Sequence, residues 1–245
     1  MSLSKEWVLL SRAMYGQEFI DELSDFLHKQ KVKTILECGC GDGNILHGLA
    51  LKNFEGIGID ADKEMIGMAK GYNLHKNIRY KLMDWRNLDQ LPDVFDAVIC
   101  RGNSISIAGW GKEEKFNSER AKQLIAKNIE LMLKKVKSGG LFYIDITSQT
   151  EIDMGDHEIK IDFPDISLNA KITYDWKNRI RRTYGKGIVH NEPFEGGANS
   201  YLITPKELED LIIGFNIKNV WHPDIKNEKN YYVICARKNL GKLYK

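Results

Sequence analysis

Glu37, three alternating glycines at 39, 41 and 43, and Asp60 are the residues of this chain whose types and spacing point most directly to chemistry. The run Thr34-Ile35-Leu36-Glu37-Cys38-Gly39-Cys40-Gly41-Asp42-Gly43-Asn44 carries an apolar segment into an acidic residue and then through the glycines. It opens the helical pattern Ile45-Leu46-His47-Gly48-Leu49. This predicts a buried strand, a tight turn where a ligand can touch backbone, and a helix N-terminus. A second apolar run, Gly56-Ile57-Gly58-Ile59, ends in Asp60. A carboxylate there lies beside the first strand tip, where the two hydroxyls of a ribose would sit. The pattern points to a nucleoside-containing cofactor.

Spacing and charge narrow the choice. A dinucleotide site uses G-x-G-x-x-G, whose third glycine lets helix and strand close around a pyrophosphate. Asn44 stands at that third position, and the glycines run G-x-G-x-G. Glu37 would repel a pyrophosphate and attract an ammonium group. A nucleoside without phosphate and with a cationic amino-acid tail satisfies these charges, which selects S-adenosyl-L-methionine. A nicotinamide-dependent reductase is the competing reading, since Asp60 suits any ribose. Further along, Asp84-Trp85 follows the third predicted strand and would pass the adenine, Asp84 accepting from its exocyclic amine. Met65 could pack on the adenine face or in the core. The segment Phe95-Asp96-Ala97-Val98-Ile99-Cys100-Arg101-Gly102-Asn103-Ser104 ends a strand in Gly-Asn-Ser. Gly102 permits backbone approach to a reacting group, and the Asn103 amide offers a neutral donor and acceptor.

The elements that position these residues follow from periodicity. Residues 4–31 read as a helical cap in two pieces broken near Gly16. Strands at 34–38, 55–59, 78–82, 95–100 and 140–146 alternate with helices at 43–52, 62–71 and 113–136 and a short turn at 84–90. Such β-α repeats predict an α/β, Rossmann-like, seven-stranded, mostly parallel sheet with helices on both faces. Ligands of these sheets lie at the carboxyl ends of the strands, where each residue named above falls. Residues 151–203 alternate differently, as in Glu158-Ile159-Lys160-Ile161-Asp162-Phe163 and Arg179-Ile180-Arg181-Arg182-Thr183-Tyr184. They predict an antiparallel β insertion after strand 5, placed to act as a lid on one domain spanning 1–245. Thr204-Pro205-Lys206-Glu207 resumes the α/β pattern, with Thr204 as N-cap and Pro205 at N1 of a helix over 205–213. Strands over 216–222 and 231–237 close the chain.

The acidic-x-G-x-G-x-G pattern resembles motif I of the class I methyltransferases. The stretch from Phe95 to Ser104 is similar to the corresponding segment of the glycine/sarcosine N-methyltransferases, and the resemblance extends over residues 34–146. It implies that Glu37, Gly39 and Gly41 surround the methionine portion of S-adenosyl-L-methionine, that Asp60 holds the ribose, and that Asp84-Trp85 stands where the family has an Asn-Trp adenine pair. Cys40, Ala61, Met65 and Arg101 complete the cofactor-binding set, and Arg12 is the candidate for the cofactor carboxylate. Gly102 and Asn103 match positions beside the acceptor nitrogen, with Tyr15 from the N-terminal cap as a further catalytic candidate. The chain departs from the family at Thr147, where an arginine grips the carboxylate of glycine. A charge-assisted pair there becomes at best a neutral hydrogen bond, roughly half as strong. The expected activity is methylation of a small-molecule acceptor, an amine, with RNA, protein or a catalytically silent cofactor-binding module as alternatives.

Composition sets the remaining bounds. Lys and Arg total 36 against 34 Asp and Glu, a net charge of +2, so no global basic field selects nucleic acid as partner. No apolar run reaches the ~20 residues of a membrane span, and no secretory leader is visible. Cys38, Cys40, Cys100 and Cys235 lack disulfide or metal spacing and read as reduced core residues. A cytoplasmic, metal-free enzyme is expected, with a homo-oligomer left open.

Overall fold

The computed structural model describes residues 16–108, 117–147, 155–163, 166–189, 191–215, 217–226 and 231–240. Arg12 and Tyr15 lie outside the described residues. The first described helix, α1 (Gln17–Lys29), buries Phe19, Leu23 and Leu27 along one stripe. Then follow β1 (Thr34–Cys38), α2 (Asn44–Leu51), β2 (Glu55–Asp60), α3 (Lys63–Tyr72), β3 (Ile78–Leu82) and a 3-10 turn (Trp85–Gln90). Next come β4 (Phe95–Cys100), the short α4 (Ser104–Ala108), α5 (Ser118–Lys134) and β5 (Val136–Thr147). Strands β6 (His157–Phe163), β7 (Ile166–Asp175), β8 (Ile180–Val189) and β9 (Glu192–Tyr201) form the insertion. The helix α6 (Pro205–Ile213), β10 (Ile217–Trp221) and β11 (Tyr231–Lys238) complete the order.

The main sheet has seven strands in the order β10-β11-β5-β4-β1-β2-β3. The five strands from β5 to β3 run parallel, whereas β11 is antiparallel to β5 and to β10. Strand order reverses between β1 and β4, which opens a crevice above their carboxyl ends. Helices cover both faces. Phe19, Leu46, Leu49 and Ile66 from α1 to α3 pack on one face against Ile35, Ile99 and Tyr143. Ile125, Ile129 and Leu208 from α5 and α6 pack on the other against Leu36, Val98 and Ile144. Both faces being covered explains why the strands read as nearly continuous apolar runs. At the far end of the sheet, Asp96 Oδ2 accepts from the Thr34 backbone at 2.9 Å and Oδ1 meets Lys137 Nζ at 2.8 Å. This knot pins β1, β4 and the start of β5 to one another.

β5 begins earlier than the run 140–146 predicts, at Val136, which pairs with Phe95. Gly139 at φ +75° and Gly140, where a Cβ would lie 2.9 Å from the Asp96 carbonyl, let the strand continue through an irregular register. The described part of the predicted helix over 113–136 starts at Ser118, where Asn117 caps it through the Arg120 amide. The insertion forms a separate antiparallel sheet, β6-β7-β8-β9, after the fifth strand. The capping box at Thr204 and Glu207 starts α6 at Pro205. All four cysteines are buried free thiols.

Candidate active site

The glycine turn is built by its neighbours. Gly39, Gly41 and Gly43 all have positive φ, at +77°, +53° and +78°, a region that suits glycine and strains other residues. The Gly39 and Cys40 amides donate to the Ile59 carbonyl at 2.8 and 3.0 Å, so the turn hangs from the end of β2. Asp60 Oδ2 accepts from the Gly41 amide and Oδ1 from the Asp62 amide, both at 2.9 Å. Burial raises the Asp60 pKa, against these backbone donors. On the far side, the Tyr80 hydroxyl lies 3.0 Å from the Gly43 carbonyl and 3.1 Å from that of Asn73, while the Asn73 amide donates to the Asp42 carbonyl at 2.7 Å. A Cβ on Gly43 would lie 2.5 Å from the Tyr80 ring. Gly43→Ala is therefore expected to lower stability by about 1–3 kcal/mol through strain at positive φ, with the ring clash added. Thermal denaturation checks this, and an unchanged midpoint would refute the buttressing role of Tyr80.

Glu37 ends up where charge is costly. It is only 5% exposed on β1, and its Oε2 finds no hydrogen-bond partner. Burial drives its pKa up to about 8, opposed by the Arg101 cation and reinforced by Asp42 and Asp60. A buried unpaired carboxyl oxygen among further carboxylates is a site for a cationic ligand. Gly41 faces open space, with nothing within 4 Å of an added Cβ, so a ligand can lie against its backbone.

The third and fourth strand ends converge on this turn. A Cβ on Gly39 would meet the Trp85 ring at 3.1 Å and Ser104 Oγ at 3.2 Å. Trp85 therefore packs on the glycine backbone, and Ser104 roofs the same spot. Met65 is buried in the first turn of α3, Ala61 is exposed beside Asp60, and Cys40 is buried. Asp84 caps the 3-10 turn through the Arg86 amide and is gripped side-on by the Arg86 guanidinium at 2.9 and 2.7 Å. The pair lowers the Asp84 pKa, chiefly through that hydrogen bonding. The side chain expected at the adenine amine is thus tied to a neighbour two residues away.

Sequence reasoning did not assign a role to Asp145, the organiser of the fourth strand end. It is fully buried on β5 and accepts from the Gly102 amide at 2.9 Å and the Asn103 amide at 2.7 Å. Arg101 Nε lies 4.0 Å from its Oδ2, and the Arg101 guanidinium stacks 4.0 Å from the Phe19 ring of α1. Gly102 and Asn103 both take positive φ, +69° and +57°. Asn103 Oδ1 accepts from Ser106 Oγ at 2.6 Å and from the Thr147 amide at 3.3 Å. The asparagine thereby fastens the start of α4 to the end of β5. A charged residue inside the otherwise apolar run from Leu141 to Ile146 was the available signal.

The strand ends thus gather Glu37, Gly39, Gly41, Asp60, Trp85, Arg101, Gly102 and Asn103 around one crevice. Residues 35–124 match the model of a methyltransferase domain. Over 71 residues the chain is 34% identical to a ubiquinone biosynthesis O-methyltransferase of Dechloromonas aromatica, a match covering 28% of this chain and 31% of that protein. The chain spans under a third of the length of the curated relatives it matches. Among solved structures it superposes on an S-adenosylmethionine-bound amino pentose methyltransferase of calicheamicin biosynthesis from Micromonospora echinaspora. The TM-score is 0.72 at 16% identity, with 98% of this chain and 99% of that one covered. A sugar N-methyltransferase from a Streptoalloteichus species gives a TM-score of 0.71 at 15% identity, covering 98% and 95%. At such identities the likeness establishes the fold alone. S-adenosylmethionine is the molecule bound in that amino pentose methyltransferase, and the residues present here fit such a ligand. The orphaned Glu37 oxygen suits its ammonium, and the open Gly41 backbone leaves room for its amino-acid tail. Among the described residues no cluster of His, Cys, Asp or Glu could hold a metal ion, and no helix is long and apolar enough to cross a membrane.

Proposed function

We propose that the whole chain transfers a methyl group from S-adenosyl-L-methionine to a small-molecule acceptor, a nitrogen nucleophile. The observation that carries this reading is the buried Glu37 carboxyl, whose Oε2 has no hydrogen-bond partner, beside a glycine turn of positive φ. When bound, the cofactor supplies an electrophilic methyl on a sulfonium. The chain's own residues bind, orient and exclude water. In this reading Glu37 holds the ammonium, Gly39, Cys40 and Gly41 lie along the amino-acid tail, and Asp60 and Ala61 meet the ribose. Met65, Asp84 and Trp85 flank the adenine, Arg101 supports the Glu37 region, and Arg12 takes the carboxylate. Gly102, Asn103 and Tyr15 face the acceptor, with the β insertion as a lid over it.

Transfer of this kind needs the nucleophile and methyl roughly 3 Å apart and in line, and little covalent help. Asp145 is committed to the Gly102 and Asn103 amides, so its work is to hold a rigid turn. That favours an amine that can arrive neutral over an acceptor needing a strong base. The sugar N-methyltransferase and amino pentose methyltransferase among the structural neighbours support an amine. The O-methyltransferase match lies in a short stretch and leaves oxygen as the competing acceptor atom.

Incubating labelled S-adenosylmethionine with cell extract, then separating small-molecule, RNA and protein fractions, tests the reading. Label in a small amine is expected; label in RNA or protein would overturn the small-molecule assignment, and a labelled hydroxyl the nitrogen assignment. In the same assay Asp60→Ala is expected to raise the cofactor Kd by about 10–100-fold, the loss of a charge-assisted hydrogen-bond pair. Asn103→Ala acts mainly on turnover. An unchanged Kd in the Asp60 variant would remove the ribose role.

A further inference from the structure

The insertion carries three arginines close together, Arg179, Arg181 and Arg182. Two are absorbed by carboxylates of the fold. Arg179 pairs with Glu207 of the α6 cap and lies over the Tyr201 ring, and Arg182 reaches Asp175 at 3.6 Å on the exposed face. Arg181 has no carboxylate partner among the described residues. Its Nη1 donates to Thr183 Oγ1 at 2.9 Å, and its Nε is buried without any acceptor. A guanidinium has two usable edges. With Nη1 spent on Thr183, the edge formed by Nε and Nη2 stays whole, two parallel N–H groups matched to the two oxygens of an oxyanion. Leaving such a donor buried and unpaired is costly, so the geometry calls for an acceptor.

The position of Arg181 says where that acceptor would belong. In register it faces Ser200 of β9 and Tyr174 of β7, so it shares their sheet face with Ile172 and Thr183. Ile172 and Ser200 on this face are buried. Ser200 is one residue from Tyr201, which pairs with Ile180 on the opposite sheet face and whose ring packs in the same cluster as Ile105 of α4 and Ile146 of β5. β9 is also a strand against which α4 packs. Asn103 starts α4 and is tied to Thr147 at the end of β5. One strand step is about 3.3 Å, so the Arg181 backbone, one strand over from Ser200, lies at the end of the insertion sheet that packs on α4, with its side chain on the face opposite Tyr201.

We propose that Arg181 binds an anionic group of the acceptor, a carboxylate or a phosphoryl oxyanion, through its Nε–Nη2 edge and so determines specificity. The proposal rests on the methyl-transfer reading for its meaning as an acceptor subsite. Thr183 is the positioning residue that turns this edge outward. Arg182, one residue on and in the opposite sheet face, serves as an internal control.

The test is thermal denaturation of the full chain, with and without S-adenosylhomocysteine, titrated with sodium acetate or sodium phosphate at ionic strength held constant with NaCl. Wild type is expected to show a saturable rise in midpoint with one of the two anions, acetate marking a carboxylate subsite and phosphate a phosphoryl one. Arg181→Gln is expected to raise the half-saturating concentration at least tenfold, and Arg182→Gln to leave it unchanged. Arg181→Lys keeps the charge but not the fork, is the more conservative variant for folding, and is also expected to weaken the response. No saturable response in wild type, or equal responses in the Arg181 and Arg182 variants, would overturn the proposal and leave the Nε to a bound water. Calorimetry of S-adenosylmethionine binding to wild type, run in parallel, reports separately on the methyl-transfer reading, since failure there does not alter the anion response.

Discussion

Asp145→Ala is expected to destabilise the protein by about 3–5 kcal/mol, the cost of breaking a buried pair by removing one partner. Two amides lose their acceptor and one guanidinium loses an ion-pair partner. The Gly102 and Asn103 amides are held at 2.9 and 2.7 Å, and the buried Arg101 guanidinium, 6% exposed, loses the carboxylate 4.0 Å from its Nε. Gly102 and Asn103 both sit at positive φ, a conformation that persists only while its surroundings enforce it. Asp145→Asn keeps one acceptor oxygen and is expected to retain part of the stability while still lowering turnover, because the turn carrying Asn103 loosens. Denaturant unfolding of both variants gives the magnitudes. A loss under 1 kcal/mol in the alanine variant would show that the turn stands without Asp145.

Glu37→Gln carries the second large effect, and it has opposite signs for stability and for ligand binding. The folded-state pKa of Glu37 is raised to about 8 from 4.5, with burial as the leading cause. In this group's case the folded protein binds the proton more tightly than the unfolded chain. Its contribution to stability is therefore present below about pH 4.5 and is lost progressively as pH rises to about 8. Glutamine copies the protonated form, so the variant is expected to melt higher than wild type at pH 8.5, with the gap closing towards pH 5. Binding runs the other way. An ammonium beside Glu37 favours the carboxylate, so cofactor binding near pH 7 expels a proton from the wild-type site. Calorimetry in buffers of different ionisation enthalpy reads that proton directly. Glu37→Gln is expected to abolish the release and to weaken S-adenosylmethionine by about 2 kcal/mol or more, some 30-fold, as for a buried charge pair cut on one side. Binding with no proton release in wild type would place the ammonium elsewhere.

The two effects share an origin. The same burial that makes Glu37 a poor anion in the free protein makes it a strong partner for a cation, since a low local dielectric acts in both directions. Asp42 and Asp60 add to the negative field, and Arg101 only partly offsets it. That field favours a cationic ligand over an anionic one.

Local signals made much of this legible in the chain. The turn at 39–43 requires positive φ, which writes itself as alternating glycines, and all three glycines adopt it. Apolar runs covered on both faces mark β1, β2 and β4 nearly to the residue, and the alternation Ile78-Arg79-Tyr80-Lys81-Leu82 marks the edge strand β3. Thr204, Pro205 and Glu207 announce the start of α6 because a capping box is a four-residue device. Ligands of α/β sheets bind at the carboxyl ends of the strands, so Glu37, Asp60 and Asn103 stand out as candidates without coordinates.

Tertiary structure alone decided which charges are spent and which are left over. Asp84 looks free to meet a ligand until its pair with Arg86 is seen, and Asn103 looks like a bare amide until Ser106 and the Thr147 amide claim its oxygen. Asp145 reaches the fourth strand end from 42 and 43 positions away. Arg179, Arg181 and Arg182 read alike in the chain, yet Glu207 and Asp175 take two of them and leave the third with a buried, unpartnered Nε. The physical reason is the same in each case. Backbone conformation and periodicity are set by neighbours in sequence, whereas the pairing and burial of a charge are set by whatever the fold brings against it.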